Sequence, residues 1–493
     1  MKKIVNKKNA VLLTCLVLTL AGCGEATKGD TNPTNTPVPT IEATAPTQEP
    51  AATSTPVPTE TPAVPVVSKT DAKIESVTVS DAHTIMVTLN GVLSNANAAD
   101  ISFSTYNVDW SSYKEVKGNL TVTDCSITTN EEGKTVLIYT VEETLRNSSV
   151  VIPKKASNFS NLDAAITLAD NYITWQMDHG GWDKAIDGKT AWTEGKKKNA
   201  GSGWTGKNGE LIGTIDNDAT YTQIRHIAAV YREVPDAKYK ESVLAGFDFL
   251  FNLQYESGGF AQVYPKRGNY SDMATFNDNA MINVLYTLED ALYGRYPFDS
   301  DILPEEYKVK IADSIDRAID FILKSQITSN GKLTAWCAQH DPVTYEPVAA
   351  RAYELASISG SESVPVIQFL MNQEQTPEIK TAVEAAIQWF KESEQKDIEY
   401  VRKASDGVYF KNTAGHRTWY RFYEIDTNLP IFCDRDGIMK HDILEIGEER
   451  RHGYAWAGDW AKKLLPAYEK YGYVTGSITA TFAESNATYT IGQ

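Results

Sequence analysis

Two segments of the chain place several oxygen-bearing side chains directly before helical patterns. Residues 214–219 read TIDNDA and include Asp216 and Asp218, while residues 275–280 read TFNDNA and include Asp278. A helix N-cap needs only one such side chain, whereas each segment supplies three. This surplus indicates converging ligands for a hard cation such as Ca2+, with helix capping alone as the alternative.

A second set of candidate residues lies in the last third of the chain. His340, Asp341 and Arg351 fall close together, and Arg435 and Arg451 follow farther on. Guanidinium groups bind carboxylates through paired hydrogen bonds, so these arginines favour an anionic ligand. The alternative is that they form ion pairs with neighbouring acidic residues, with Asp341 as a cap and His340 as a surface group.

The overall charge restricts the partners. The chain has 493 residues and a formal net charge of −17, which makes nucleic acid and anionic lipid poor partners. A polyanionic substrate would require a bound cation and local Arg and Lys clusters that reverse the sign of the potential in the cleft. Beyond the first 23 residues, Cys125, Cys337 and Cys433 form no disulfide framework or zinc motif, although a Cys337–Cys433 bridge is as compatible with the sequence as two buried thiols.

The elements that must position the candidate residues are helical from about residue 158 onward. Apolar residues recur at helical spacing in three segments: Ile224, Ile227 and Tyr231; Met281, Leu285, Leu288 and Leu292; and Ile311, Ile315, Ala318 and Ile322. We therefore expect amphipathic helices at these positions.

A loose internal repeat joins these helices. Gln176, Gln254 and Gln326 lie about 75 residues apart, the size of a helical hairpin with its loops. Each glutamine is followed by a glycine turn and by a large aromatic residue, which is Trp182, Phe260 or Trp336. This order predicts an irregular α/α toroid with a central groove. The three aromatic residues either face sugars in the groove or belong to the core.

The region before the helices predicts three further parts. Residues 1–22 are typical of an export signal, and their end, LAGC, resembles the lipobox of bacterial lipoproteins, which would make Cys23 the acylated residue. A cleaved signal with a chance cysteine is the alternative. Residues 23–68 are rich in Pro and Thr and predict a semi-rigid linker. Residues 69–156 alternate apolar and polar side chains and predict a small immunoglobulin-like β-sandwich.

Residues 157–493 then form the predicted catalytic domain, and the protein as a whole is expected to be mainly α. Six motifs in this domain, in this order, resemble polysaccharide lyase family 10, the pectate lyases with an irregular α/α-toroid fold. They lie at 180–184, 214–220, 258–265, 276–280, 336–341 with Arg351, and 433–437. The resemblance covers roughly residues 158 to 473, which is the whole helical region.

The resemblance implies roles for individual residues. Asp216 and Asp278 match the Ca2+-binding carboxylates of the family, with Asp218 and Asp341 as further candidates. Arg351 matches the arginine proposed to abstract the C5 proton of galacturonate. Substrate-binding residues are implied at four positions, namely Arg435, His340, Lys184 and Arg451.

The implied reaction is Ca2+-assisted β-elimination of polygalacturonate, the backbone of pectin. We expect the protein to be a monomer. It would be held at the outer face of the cell membrane only through lipid on Cys23. A permanently protonated arginine is an unfavourable base, so an alkaline optimum is expected. Two rivals remain open. One is an α/α-toroid glycoside hydrolase that uses Asp216 and Asp278 as acid and base; the other is a non-catalytic glycan-binding lipoprotein.

Overall fold

The computed structural model describes residues 66–67, 71–93, 97, 100–146, 149–150, 159–186, 188–474, 476–483 and 487–491. These residues belong to one compact unit, Pro62–Gln493. The predicted signal peptide, Cys23 and the linker as far as residue 65 lie outside the described residues. Val66–Val67, which we placed in the linker, pair with Val92–Leu93. Within the described part of the chain, no helix is long and apolar enough to cross a membrane.

The described helices alternate with short strands. The α-helices are α1 (Leu162–Trp175), α2 (Tyr221–Glu233), α3 (Ala237–Leu253), α4 (Ala280–Leu292), α5 (Glu305–Ser325), α6 (Ser363–Met371), α7 (Pro377–Glu392), α8 (Glu448–Gly453) and α9 (Leu464–Tyr471). The three predicted amphipathic helices correspond to α2, α4 and α5, and their apolar faces enter the main core.

The strands are more numerous than predicted. They are β1 (Val66–Val67), β2 (Ile74–Asp81), β3 (Thr84–Leu89), β4 (Val92–Leu93), β5 (Ile101–Asp109), β6 (Lys114–Asn119), β7 (Val122–Thr129), β8 (Thr135–Val141), β9 (Leu145–Arg146), β10 (Ser149–Val150), β11 (Gly213–Thr214), β12 (Val263–Tyr264), β13 (Ala274–Thr275), β14 (Thr328–Ser329), β15 (Lys332–Leu333), β16 (Gln339–His340), β17 (Ile358–Ser359), β18 (Gln395–Tyr400), β19 (Phe410–Tyr420), β20 (Phe422–Tyr423), β21 (Phe432–Cys433), β22 (Met439–Lys440), β23 (Ala457–Gly458), β24 (Ser477–Phe482) and β25 (Ala487–Ile491).

The prediction of a mainly α fold, an irregular α/α toroid, is therefore wrong. The structure contains 33% helix and 26% strand, with many small sheets. Part of the strand content lies after residue 158, where we expected a mainly helical region without long strands, above all in the long antiparallel hairpin of β18 and β19. The helical periodicity that supported the prediction holds for α2, α4 and α5 but does not extend through the rest of the region.

The N-terminal β region consists of two four-stranded antiparallel sheets. One has the order β2-β3-β8-β7, and the other has the order β25-β24-β5-β6. Side chains from both sheets, such as Val87, Tyr139, Phe103 and Ile478, share one hydrophobic core. The second sheet thus needs two strands from the C-terminal end of the chain. The predicted boundary, which assigned all of residues 157–493 to the catalytic domain, is incorrect for β24 and β25.

The β region is held against the helices through Trp110, which follows β5. Its indole is fully buried in the main helical core and packs edge-on against Tyr471, with ring centroids 6.4 Å apart. The Trp110 N–H donates to Asn372 Oδ1 at 3.2 Å, and its carbonyl accepts from Gln368 Nε2 at 2.8 Å. The β region and the helices therefore share a packed interface.

We expect Trp110→Ala to lower the free energy of unfolding by about 3 to 5 kcal/mol, because the substitution leaves a large cavity where the two regions meet. Urea titration followed by circular dichroism would measure this change. Ile127→Ala is the control, since Ile127 is exposed on β7 and its truncation should change stability by less than about 0.5 kcal/mol. Equal effects of the two variants would contradict the assigned interface.

The internal repeat predicted from three glutamines is confirmed by their hydrogen bonds. Each glutamine follows an odd-numbered helix, and its amide donates both to the next turn and to a carbonyl in the next-but-one helix. The carbonyl partners are Gly180 and Ser242 for Gln176, Gly258 and Ser314 for Gln254, and Thr334 and Ala382 for Gln326. These contacts join α1 to α3, α3 to α5, and α5 to α7.

Candidate active site

The first predicted metal segment forms a tight turn after β11. Asp216 opens a 3-10 turn over Asp216–Asp218, and its side chain is almost fully buried. One carboxylate oxygen, Oδ2, accepts a hydrogen bond from Lys184 Nζ at 2.6 Å. Lys184, a predicted substrate-binding residue, thus lies beside Asp216, and any cation that binds Asp216 would compete with this ammonium group.

The second predicted segment forms a similar turn after β13. In each turn, two successive residues have left-handed backbone angles: Asn217 and Asp218 have φ of 49° and 61°, and Asp278 and Asn279 have φ of 50° and 60°. Asn and Asp tolerate this conformation better than other residues with a side chain. The Asx-rich composition that we read as cation ligands therefore has a conformational cause as well.

A continuous ladder of backbone hydrogen bonds places these turns beside one another, and a third turn, after β17, extends the row. The backbone at the start of each turn donates hydrogen bonds to two chain segments, one on either side. Residues 260–262 accept from both the first and the second turn, and residues 336–338 accept from both the second and the third. The bonds are Thr214 N to Trp182 O, Ile215 N to Gln262 O, Thr275 N to Phe260 O, Phe276 N to Ala338 O, Ser359 N to Trp336 O and Gly360 N to Arg421 O, at 2.7 to 3.1 Å.

The third turn carries Glu362, which we did not predict. Glu362 is buried, accepts from the hydroxyls of Ser359 and Ser361, and pairs with Arg421, whose Nη2 lies 2.5 Å from Glu362 Oε1. Burial alone would raise the pKa of Glu362, but Arg421 and the two serines bring that pKa below its usual value. The pair is therefore a charged, hydrogen-bonded ion pair inside the protein.

Asp278 lies within the electrostatic reach of this pair and of Asp216. Although the residue is exposed to solvent, neighbouring groups partly desolvate its carboxyl and raise its pKa above the usual value. The charges of Glu362 and Asp216 add to this rise, while Arg421 opposes it. Mutually repelling carboxylates indicate a place where a divalent cation would be stabilised.

The carboxylates available to a cation are few. Within the described residues, no group of three or more His, Cys, Asp and Glu side chains has an arrangement able to hold a metal. Asp218, our further candidate, accepts a hydrogen bond from the Tyr221 hydroxyl, which in turn accepts from Asn283 Nδ2 at 2.8 Å. Asp216 and Asp278 remain the predicted donors for Ca2+, and any further ligands would have to come from substrate and water.

The predicted catalytic arginine, Arg351, is held by an ion pair and is linked to Arg421 through Glu354 and Tyr454. Arg351 Nε lies 2.7 Å from Glu354 Oε2, and Arg351 Nη2 also contacts Glu354 Oε1. Tyr454 donates to the same Glu354 oxygen at 2.7 Å, and the Arg421 guanidinium carbon lies 5.0 Å from the centre of the Tyr454 ring. Hydrogen bonding to Glu354 raises the pKa of Arg351 above its ordinary value.

Other guanidinium groups gather around Tyr353. The guanidinium carbons of Arg351, Arg435 and Arg450 lie 4.9, 5.6 and 4.5 Å from the centre of its ring. Glu449 contacts both Arg435 and Arg450, and these hydrogen bonds lower its pKa to about 2. The structure therefore brings the predicted Arg351 and Arg435 together in one cationic surface.

Arg451 does not belong to this surface. Its guanidinium donates to Leu444 O and lies 5.7 Å from the Tyr409 ring. Consecutive residues of a short helix point in different directions, so Arg450 faces Tyr353 and Arg451 does not. Arg451 therefore lies away from the other predicted arginines, and Arg450, which lies beside them, is almost fully buried and paired with Glu449.

His340 and Asp341 have structural roles. His340 is fully buried; its Nδ1 lies 2.8 Å from Tyr345 O, and its Nε2 accepts from the Cys337 N–H at 3.0 Å. Burial lowers the pKa of His340 to about 4, so the ring is neutral and out of reach of substrate, contrary to the prediction. Asp341 Oδ1 accepts from the N–H groups of Val343 and Thr344 and acts as a turn cap.

Two open alternatives are also decided by burial. Trp182, Phe260 and Trp336 have no exposed surface, so they are core residues rather than sugar-binding groups. Cys337 and Cys433 are buried free thiols, not a disulfide.

The main residues that were not predicted as site residues are Glu362, Arg421 and Tyr454. Glu362 follows Ser359-Gly360-Ser361, a third oxygen-rich turn that begins a helix in the same way as the first two. That shared pattern could have identified Glu362. Arg421 and Tyr454 carry no local signal, because only long-range contacts bring them into the site. Glu354, three residues after Arg351, is one of the neighbouring acidic residues that the ion-pair alternative allowed, and it does form that pair.

Comparisons with known proteins find one family and two solved structures that are similar to this chain. The family described as pectic acid lyase matches residues 176–465. Two solved structures are similar to this chain, both of the family 10 polysaccharide lyase from Cellvibrio cellulosa. One, a mutant in complex with trigalacturonic acid, has 39% identity and a TM-score of 0.57, over 63% of this chain and 96% of that chain. The other has 39% identity and a TM-score of 0.56, over 63% and 95%. No match is found among the curated proteins.

Proposed function

The chain belongs to the pectic acid lyase family and is a polysaccharide lyase, and from this premise we propose that it cleaves polygalacturonate by calcium-assisted β-elimination. The observation that carries the proposal is the convergence of Asp216, Asp278 and Arg421 in one cleft, linked through Tyr454 and Glu354 to Arg351. The trigalacturonic acid bound to the similar lyase supports a galacturonan as substrate.

In the proposed reaction, Arg351 removes the C5 proton of a galacturonate residue. The electron pair of the C5–H bond forms the C4–C5 double bond, and the C4–O4 bond breaks as O4 leaves and takes up a proton. Asp216 and Asp278 would hold Ca2+, which when bound would neutralise the uronate carboxylate and so acidify the C5 proton. Arg435, which is exposed, would bind a carboxylate of the substrate chain.

The ion pair between Arg421 and Glu362 orders the cleft. Burial alone would lower the pKa of Arg421, but Glu362, with Tyr454 and Asp278, raises it, so the guanidinium stays charged. A fixed positive charge beside Asp278 would favour binding of the uronate group. Since Glu362 already accepts hydrogen bonds from two serines, it is a positioning residue for Arg421 in this proposal.

One observation favours the rival hydrolase. A general acid needs a carboxyl group with a raised pKa, and the pKa of Asp278 is raised. The like charges of Glu362 and Asp216 that contribute to the rise are equally the reason why a divalent cation would bind there. The nature of the product distinguishes the two reactions.

We expect the purified protein to produce unsaturated uronate from polygalacturonate at alkaline pH with Ca2+, and excess chelator to abolish this product. The rise in ultraviolet absorbance from the new double bond measures the reaction. Adding Ca2+ back in excess of the chelator is the control and should restore the rate. New reducing ends without absorbance would indicate the hydrolase, and retention of polymer without cleavage would indicate the glycan-binding protein.

The position of the enzyme in the cell belongs to the same proposal. Its polymeric substrate is found outside cells, which supports export through the signal at 1–22 and lipid attachment at Cys23. A linker over 23–65 would then separate the enzyme from the membrane. Loss of membrane association on Cys23→Ser would test the anchor.

A further inference from the structure

A pair of cationic side chains beside Asp216 shares one aromatic ring. Lys184 Nζ lies 3.7 Å from the centre of the Trp204 ring, and the Arg267 guanidinium carbon lies 4.3 Å from the same ring. Lys184 also contacts Asp216. Cation–π contacts at these distances hold a charged group in place while its hydrogen-bonding atoms stay available.

Trp204 lies in a loop that is anchored at its backbone. Its N–H donates to Ser202 Oγ at 2.9 Å, and its carbonyl accepts from Asn199 Nδ2 at 2.7 Å. The Ser202 N–H in turn donates to Oδ2 of the buried Asp183, at 2.8 Å. The ring is therefore held in position by bonds that do not involve either cation.

Arg267 lies in a second anchored loop. Its N–H and that of Gly268 both donate to the Asp272 carboxylate, and its Nη1 donates to Ser271 Oγ at 3.0 Å. In the part of the chain that the structure describes, Arg267 forms no salt bridge, although Arg351 and Arg421 each have a carboxylate partner. Its remaining N–H groups are oriented by protein contacts but are not neutralised.

The surroundings of this pair are basic, in contrast to the net charge of the chain. The Lys207 N–H donates to Lys266 O at 3.0 Å and so joins the two loops. Their exposed surface carries Lys196, Lys197, Lys207 and Lys266. A local positive potential of this kind attracts a polyanion to an otherwise acidic protein.

We propose that Arg267, held in place by Trp204, extends the galacturonate-binding surface on the Asp216 side of the cleft as a further subsite, beside Lys184, whose contact with substrate the family resemblance already implies. This inference rests on the proposed function. It identifies side chains that would bind the polygalacturonate chain next to the galacturonate that is cleaved. Arg267 binds the carboxylate of a neighbouring galacturonate through its guanidinium fork, and Lys184 binds the same chain from the other cation position. Trp204 is a positioning residue that holds both cations.

The test is Arg267→Gln in the full chain. Losing a charge-assisted hydrogen bond weakens binding by about 10-fold or more, so KM for polygalacturonate should rise by that factor. Since the contact is made equally before and during the reaction, kcat should change little. Added salt should shrink the difference from wild type, because it screens the lost charge. The control is Arg317→Gln, which removes a partly exposed arginine of α5 paired with Asp313 and should leave KM unchanged.

Trp204 is tested by rescue. Trp204→Ala should raise KM as Arg267→Gln does, and the double variant should show less than the product of the two effects, since both act on one contact. Trp204→Tyr retains a ring that can hold the cations and should recover most of the affinity. Additive effects, or a Tyr variant no better than Ala, would overturn the positioning role.

Affinity electrophoresis in a polygalacturonate gel with chelator separates this proposal from the proposed function. Suppose that the wild type is retarded in this gel but forms no unsaturated product in the separate assay with Ca2+. The lyase proposal then fails, and the subsite stands if Arg267→Gln is less retarded than the wild type. If the wild type is active and Arg267→Gln keeps its KM and its retardation, the subsite is overturned and the lyase proposal stands. A wild type that neither binds nor cleaves overturns both.

Discussion

Asp278→Asn is expected to reduce kcat/KM for polygalacturonate by about 10³-fold, because a metal ion supplies several kcal/mol of charge stabilisation and each 1.36 kcal/mol is a factor of ten in rate. Asparagine keeps the size of the side chain and tolerates the left-handed φ of 50° at this position. The fold should therefore persist, and the loss should come from the missing negative charge. Alanine would add backbone strain to the effect.

A matched control exists in the neighbouring turn. Asp218 has φ of 61°, and its carboxylate accepts a hydrogen bond from Tyr221, an interaction that an asparagine oxygen can also accept. Asp218→Asn should therefore retain activity within a few-fold. Initial rates across a Ca2+ series would show whether excess Ca2+ partly restores Asp278→Asn. Wild-type activity in both variants would remove Asp278 from the proposed cation site. An equally large loss of activity in both variants would add Asp218 to that site.

The sequence predicts elements that are locally periodic but not those whose pattern is completed elsewhere in the chain. The apolar faces of α2, α4 and α5 repeat at helical spacing, and all three helices are present. The alternation of Ile478, Ala480 and Phe482 is equally regular, yet the strand they form pairs with β5, more than 300 residues earlier. No local window contains both partners, so this topology could not be derived from the pattern alone.

Candidate site residues divide in the same way. Asp216 and Asp278 were identifiable because an Asx-rich turn before a helix has a local signature. Arg421 and Glu362 meet across 59 residues, and each alone is an ordinary charged residue. Arg450 and Arg451 show a finer limit, since the direction of a side chain on the short helix α8 depends on exactly where that helix begins. The burial of His340 likewise depends on tertiary packing, so it could not be predicted from the local sequence.

The second large effect is expected for Arg351→Lys, which should lower kcat by about 10² to 10⁴-fold, the range attributed to a positioned general base. Lysine cannot reproduce the two parallel bonds to Glu354, so its nitrogen would not occupy the position of the guanidinium. KM should change only a few-fold, because Arg435 and Arg450 still supply positive charge near Tyr353. Steady-state kinetics with polygalacturonate at alkaline pH would measure both constants.

The control for this variant is Arg451→Lys, the same substitution at an arginine that lies against Tyr409 rather than Tyr353, and it should keep wild-type kinetics within a few-fold. Activity of the wild type should also rise with pH throughout the range in which the fold is stable. The sign follows from the base role: only the neutral guanidine accepts a proton, and Glu354 raises the pKa of Arg351, so the neutral fraction is small and grows about tenfold per pH unit below that pKa.

The pattern of loss decides what Arg351 does. A fall in kcat with little change in KM, together with a rate that rises steadily with pH, would support proton abstraction by a guanidine whose neutral form is rare. A rise in KM at constant kcat would instead make Arg351 a binding group for the uronate carboxylate, which is the role its ion pair with Glu354 suits when the guanidinium remains charged. Full activity of Arg351→Ala would exclude both roles and would require another group in the cleft to remove the proton.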